Sequence, residues 1–155
     1  MSELPGRVSR GRKWIVAAGA VVLISALSGC TAVSHISAKL SQGTVSFALC
    51  DDLKPTKIEV QVAKSTASYL KYKTVWVATG ELLPNSGRVV QYGVVPTGFV
   101  TSSGPFDFLP SKSHIDIFFE GAGDSSSQFV FDGSRLVRDK WLNWNGNLVS
   151  SPCGS

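Results

Sequence analysis

The chain has few of the residues from which catalytic and metal sites are usually built. Its 155 residues include two histidines, His35 and His114, which are far apart and have no neighbouring candidate ligands. No serine lies in the G-x-S-x-G sequence of a nucleophile elbow. The glycines at 121 and 123 lead into polar residues and not into a helix that could hold a phosphate. These absences argue against an enzyme and predict no metal and no cofactor.

Charge of one sign is also scarce over most of the chain. The sequence carries 15 Lys and Arg against 11 Asp and Glu, but four of the basic residues and one acid fall within residues 1–29. The remaining 126 residues therefore keep 11 basic and 10 acidic side chains. The basic excess belongs to the N-terminus, so the composition gives no support to nucleic-acid binding. Paired carboxylates, as in a glycosidase, have no distinguishing pattern here.

What the N-terminus does have is a long uncharged apolar run. Residues 14–27 contain no charge, and they follow four basic residues, Arg7, Arg10, Arg12 and Lys13. A basic head, an apolar run of this length and small residues at its end are typical of a secretory signal peptide. The alternative is a short uncleaved membrane helix, although spanning a bilayer takes about 20 apolar residues. A twin-arginine signal is disfavoured because Gly11 separates Arg10 from Arg12.

The end of this run carries a specific motif, Leu27-Ser28-Gly29-Cys30. It resembles the lipobox of bacterial lipoproteins, which reads Leu, then Ser or Ala, then Gly or Ala, then Cys. The resemblance covers the first thirty residues. It implies cleavage of the Gly29–Cys30 bond, removal of residues 1–29 and attachment of a diacylglyceryl group to the Cys30 sulfur. Two acyl chains would then hold the protein on the outer face of the cell membrane. A plain signal peptide cut elsewhere is the alternative.

Two cysteines remain once Cys30 is assigned to the lipid. Cys50 and Cys153 would form an even pair in an oxidising compartment, and we predict that they are joined by a disulfide. Such a bond would tie the C-terminal tail to an early strand. Two free thiols are the alternative.

The remainder of the chain has β periodicity. Apolar and polar residues alternate over 45–50, 57–62, 74–79 and 114–120, with a further strand expected over 88–95. A hairpin over 128–138 is expected around Asp132-Gly133, and a tight turn at Asn145-Gly146. Residues 30–42 are expected to be a short tether or, in part, a first edge strand, and 43–155 a single β-domain. About seven short strands without an amphipathic helix predict an all-β fold, either an immunoglobulin-like β-sandwich or a small β-barrel.

Aromatic residues supply the candidate binding surface. Trp141, Asn143 and Trp144 form a ribbon that could stack on sugar rings or bind a protein. The alternative is that Trp141 and Leu142 fill the core and only Trp144 is exposed. A second amphipathic patch combines two tyrosines with two lysines, Tyr69, Tyr72, Lys71 and Lys73. The apolar residues of 97–110 are expected to pack over one end of the core.

These features predict a membrane-anchored binding or structural module of the bacterial cell envelope. Its partner would be another envelope protein or a glycan. The alternative is a carrier that holds a small apolar ligand inside a barrel, and a hydrolase is a more distant one. A carrier needs an apolar cavity of about 300 Å³ or more, whereas a docking module needs an exposed aromatic patch.

Overall fold

The computed structural model describes residues 35–64, 69–81, 88–123 and 125–154. They belong to one compact unit, Ala32–Ser155. The predicted signal peptide, the cleavage site at Gly29–Cys30 and the lipidated Cys30 lie outside the described residues. Within the described ranges, no helix has the length and hydrophobicity needed to cross a membrane.

Within the described residues, ten strands form two antiparallel sheets of five strands each. Sheet 1 has the order β10-β9-β1-β2-β5 and sheet 2 the order β6-β4-β3-β7-β8. In chain order the strands are β1 (Ile36–Ser41), β2 (Thr44–Leu49), β3 (Pro55–Lys64), β4 (Lys73–Gly80), β5 (Val89–Gln91), β6 (Phe99–Ser103), β7 (Ser113–Gly121), β8 (Ser126–Asp132), β9 (Trp141–Leu142) and β10 (Leu148–Val149). The all-β prediction is confirmed. The described strands form two separate sheets and no closed barrel.

One hydrophobic core receives side chains from both sheets, as is typical of a sandwich. In β7 the alternation of apolar and polar residues in the sequence matches the alternation of burial. Ile115, Ile117 and Phe119 are fully buried, and the residues between them are half-buried. Trp76 of β4 and Phe47 of β2 are the largest fully buried side chains. Their burial removes the most apolar surface from water and so contributes most to holding the sheets together.

The first strand is internal and not at an edge. β1 lies between β9 and β2, and Ile36 and Ala38 are fully buried. It is joined to β2 through Gln42 and Gly43, whose φ angles are 50° and 83°. Positive φ at both central residues is the geometry that matches the twist of a two-residue hairpin. In the described part of this segment, Ile36–Ser41 is therefore a strand, and it lies inside the sheet and not at its edge.

The hairpin expected over 128–138 does not form. The Asp132 carboxylate accepts a hydrogen bond from the Ser134 amide at 2.8 Å and starts a 3-10 turn over Gly133–Arg135. A Cβ on Gly133 would overlap the Pro110 carbonyl oxygen, so this glycine serves close packing and not a hairpin. The strand expected over 88–95 is also shorter than predicted. It corresponds to β5, which ends at Gln91, and Gly93 turns the chain with a φ of 78°.

The disulfide prediction is confirmed. Cys50 and Cys153 are bonded, with an S–S distance of 2.07 Å and a Cα–Cα distance of 5.5 Å. The bond connects the residue after β2 to the segment after β10. The two-thiol alternative was wrong.

Candidate functional site

An open groove of about 920 Å³ lies at one end of sheet 2. It forms where β3 ends and where β4 and β7 begin, and the segment Phe106–Leu109 closes its far side. Half of its described lining is apolar: Val62, Ala63, Val75, Phe106, Phe108 and Leu109. Its volume lies within the range of ligand sites, about 300–1,000 Å³.

The wall segment is held against β4 by backbone contacts. The Phe106 amide donates to the Val75 carbonyl at 3.0 Å. Gly104 lies so close to β4 that a Cβ there would overlap the Val75 carbonyl oxygen, and its φ is +76°. Only glycine meets both conditions without strain. The position of Phe106 therefore depends on the absence of a side chain two residues earlier.

Tyr92 connects the wall to the core. Its ring packs edge-on between Trp76 and Phe108, at centroid distances of 5.7 and 4.9 Å. Its hydroxyl donates to the carbonyl of Phe106. Burial, with Asp107 nearby, raises the pKa of Tyr92, so the hydroxyl stays protonated as a donor at neutral pH. Tyr92 thus connects the groove wall to Trp76, which is part of the hydrophobic core.

A second anchor fixes the other end of the wall. The Lys112 amide and the Ser113 hydroxyl both donate to the Leu109 carbonyl, at 3.0 and 3.1 Å. These bonds close the 3-10 turn over Pro110–Lys112, which begins with a proline at its first position. The turn leaves the side chain of Leu109 63% exposed at the rim of the groove.

The groove carries a positive charge excess. Four lysines line it, Lys64, Lys71, Lys73 and Lys112, against one acidic residue, Asp107. Among the described residues, no carboxylate lies within ion-pairing distance of these four ammonium groups. The Lys73 Nζ lies 5.6 Å from the centre of the Phe106 ring, which places one cation directly beside the apolar wall.

The Trp/Asn ribbon is mainly structural. Trp141 is 6% exposed and lies under the Lys39 ammonium, 4.9 Å from the ring centre. Asn143 is fully buried, and its Oδ1 accepts from the amides of Asn145 and Asn147. Trp144 is half-buried and packs edge-on against His35 at 5.2 Å. The core alternative holds for Leu142. Trp141 is buried as well, but it lies outside the core cluster beside Lys39, its partner on β1, and the ribbon offers little more than one edge of Trp144.

Tyr72 lies outside the groove lining as well. It is half-buried just before β4, and its hydroxyl has no hydrogen-bond partner among the described residues. Burial and the nearby Asp116 carboxylate raise its pKa. Because Tyr72 precedes sheet 2 and the Trp/Asn ribbon belongs to sheet 1, the fold does not combine the nominated aromatic residues into one site.

Sequence reasoning identified part of the groove and missed the rest. The patch that included Lys71 and Lys73 contributes both lysines, and the expected apolar segment 97–110 contributes the wall. Within that segment Phe99 and Phe108 face inward, but Phe106 and Leu109 are exposed and Phe99–Ser103 is a strand. Lys64 and Lys112 were not singled out. Their only signal was a lysine at the end of a strand and another before one.

The described residues show no cluster of three or more His, Cys, Asp or Glu side chains that could hold a metal ion. The only histidine near a carboxylate there is His114, whose Nε2 lies 3.9 Å from Asp132. Comparison with protein families, with curated proteins and with solved structures finds no match to this chain.

Proposed function

We propose that this protein is an exported, lipid-anchored binding module of the bacterial cell envelope, and that the lysine-rimmed groove is its binding site. The observation that carries the proposal is a groove of about 920 Å³ in which two features combine. Apolar lining residues of β3 and β4 form its floor, and Phe106 and Leu109 of the wall are exposed. Exposed apolar groups clustered in a concave site typically mark a place where a ligand or partner binds. Among the described lining residues, Asp107 is the only carboxylate and there is no histidine.

Two further features support the cell-envelope location. The lipobox-like motif ending at Cys30 predicts the anchor, and the Cys50–Cys153 disulfide is typical of an oxidising compartment. An immunoglobulin-like relationship between the two sheets is part of the same proposal. The antiparallel pairing and the shared core support it.

The second candidate is a carrier of a small apolar ligand, which the apolar floor favours. It differs from the original carrier hypothesis in one respect. The groove is open at the end of sheet 2 and is not a hollow inside a barrel.

Site-specific crosslinking in living cells tests the binding site. With p-benzoylphenylalanine in place of Phe106, irradiation should give a discrete adduct. The same photoreactive residue in place of Val130, an exposed position on β8 outside the groove, should give none. Equal adducts at both positions, or none at Phe106, would refute a binding role for the groove.

Metabolic labelling tests the anchor separately. Cells fed radiolabelled palmitate should incorporate label into the protein and not into its Cys30→Ala variant. Equal labelling of both proteins, or a mature chain that still begins at Met1, would refute lipidation at Cys30.

A further inference from the structure

We infer that the groove binds a single-chain anionic amphiphile, a molecule with one acyl chain and a carboxylate or phosphate head. The inference rests on the proposed binding role of the groove and specifies the ligand class. The observations behind it are that the lining combines apolar side chains with four lysines, and that the Lys73 ammonium lies beside the Phe106 ring.

The apolar part favours an acyl chain over a peptide or a sugar. The only uncharged polar side chain in the described lining is Ser113, and its hydroxyl already donates to the Leu109 carbonyl. A peptide backbone or a glycan hydroxyl placed on the apolar half of the lining would lose its bonds to water and could regain them only from the lysine and aspartate side chains. An acyl chain loses nothing in the same place and removes the exposed side chains of Phe106 and Leu109 from water.

The charged part favours an anionic head over a neutral one. Four lysines against one aspartate create a positive field, and a cleft with low-dielectric walls concentrates it. Lys73 is the residue at which the two parts meet, because its ammonium lies beside the Phe106 ring. A head group at Lys73 would therefore leave its chain directed along the apolar wall.

The covalent lipid on Cys30 is a separate matter. The two chains predicted there anchor the protein, whereas the groove would hold an exchangeable ligand. A soluble acidic polymer such as polyglutamate shares the negative charge but lacks the chain, and it is the competitor that the test includes.

The test uses the mature lipidated protein in phosphatidylcholine nanodiscs and a photoreactive palmitate with a diazirine in the chain. Peptide mass spectrometry should locate saturable labelling on the segment that contains Phe106–Leu109, displaced by unlabelled palmitate and not by polyglutamate. The matched neutral probe, the corresponding diazirine hexadecanol, should label the same segment about tenfold more weakly, since each exposed ion pair contributes only modestly.

Variants separate the two parts of the site. The double variant Lys73→Gln/Lys112→Gln should weaken the acid probe about tenfold and leave the alcohol probe unchanged. Leu109→Ser should weaken both probes alike, because it removes apolar contact only. Lys140→Gln, the same charge change at an exposed position outside the groove, should alter neither.

Four results would overturn the inference. Equal labelling by acid and alcohol, or no effect of the double lysine variant, would mean that the head group is not recognised. Displacement by polyglutamate but not by palmitate would assign the groove to an acidic polymer. In each of these cases a Phe106 crosslink in cells would still stand. Absence of groove labelling by either probe would also remove the amphiphile, and the cellular crosslink would then decide the broader proposal.

Discussion

Glu59 is the best-connected charged residue on the outer face of sheet 2. Its Oε1 accepts from the side-chain Nε2 of Gln61 and from the Thr74 hydroxyl, both at 2.8 Å. Its Oε2 lies 2.9 Å from the Lys57 ammonium. Burial raises the pKa of Glu59, but the three donors outweigh burial and leave it below its ordinary value. The Glu59 bond in turn raises the pKa of Lys57.

This arrangement predicts a specific pH dependence. A carboxyl whose pKa is lowered by folding stabilises the fold above its ordinary pKa, and that stability is lost as the pH falls through the lowered value. Glu59→Gln should therefore cost about 1 kcal/mol at pH 7 and make the loss of stability below about pH 4.5 shallower. Urea unfolding at a series of pH values measures both effects.

Glu120→Gln is the matched control for that prediction. Glu120 lies on the same face and reaches Lys57 at 3.6 Å, but its side chain is 47% exposed. It should change the unfolding free energy by less than about 0.5 kcal/mol. If Glu59→Gln leaves the acid limb of the stability curve unchanged, the Glu59 network does not stabilise the carboxylate.

Asn143 is a buried polar residue whose side chain forms hydrogen bonds with the backbone. Its side chain replaces backbone partners at the β9–β10 turn, accepting two amides at 3.1 and 2.8 Å and donating to the Gly154 carbonyl at 3.4 Å. It is completely buried. Its role is therefore to hold the turn and the C-terminal segment, and it is not available to bind a glycan.

Asn143→Ala should lower the free energy of unfolding by about 2–3 kcal/mol, because it leaves two turn amides without their acceptor. Asn145→Ala, at an exposed position of the same turn, should cost no more than about 0.5 kcal/mol. Denaturant midpoints at constant slope compare the two variants. Similar losses would mean that the turn does not depend on the buried amide.

At the level of elements, the wall of the groove is an irregular segment that hydrogen bonds join to the neighbouring elements. Three contacts hold the chain between β6 and β7. The Phe106 backbone amide donates to Val75 of β4, the Tyr92 hydroxyl donates to the Phe106 carbonyl, and a 3-10 turn forms over Pro110–Lys112. Each contact uses a different element, so the wall has support along its whole length. This makes the groove a preformed site, which lowers the entropic cost of binding.

The close approach at Gly104 can be tested against a second glycine with nearly the same backbone. Gly104 and Gly123 have φ values of +76° and +72°, but an added Cβ overlaps Val75 at Gly104 and meets nothing within 4 Å at Gly123. Gly123→Ala should cost about 1 kcal/mol, the penalty for positive φ alone. Gly104→Ala should cost about 2 kcal/mol more, because the wall must move away from β4.

Chemical denaturation of the two glycine variants measures these costs. Gly104→Ala should in addition reduce crosslinking from position 106, whereas Gly123→Ala should not. Equal stability of the two variants would show that the wall can shift without cost and is not held by its contact with Val75.

For the whole molecule, the disulfide links the residue that follows β2 to the C-terminal segment. Cys50 and Cys153 are separated by 103 residues, so the bond closes the chain from β3 to β10 into one loop. Cross-linking a loop of this length restricts the unfolded chain strongly, and the effect on stability rises with the logarithm of loop length.

The double variant Cys50→Ser/Cys153→Ser should lose about 2–5 kcal/mol of stability relative to the disulfide-bonded protein. Reductant should lower the unfolding free energy of the parent protein by a similar amount and should not affect the double variant. Urea unfolding with and without reductant measures this. A parent protein that is insensitive to reductant would contradict a stabilising role for the bond.

The amino-acid sequence by itself determined the all-β class, the positions of most long strands and the cysteine pairing. Alternation in β2, β3 and β7 is a local property, since successive side chains of any strand point to opposite faces. The pairing of Cys50 with Cys153 followed from the number of cysteines once Cys30 was assigned elsewhere. The lipid anchor stays a prediction from the motif at residues 27–30.

Only the tertiary structure decided which residues meet. The internal position of β1 depends on pairing with β9, about a hundred residues away, and no local pattern specifies that partner. The groove joins lysines at 64, 71, 73 and 112 with an apolar wall at 106–109, which are adjacent only because β3, β4 and β7 are neighbours. The aromatic ribbon is mostly buried for the same reason, because Trp141 is covered by Lys39 of the neighbouring strand and Leu142 packs into the core.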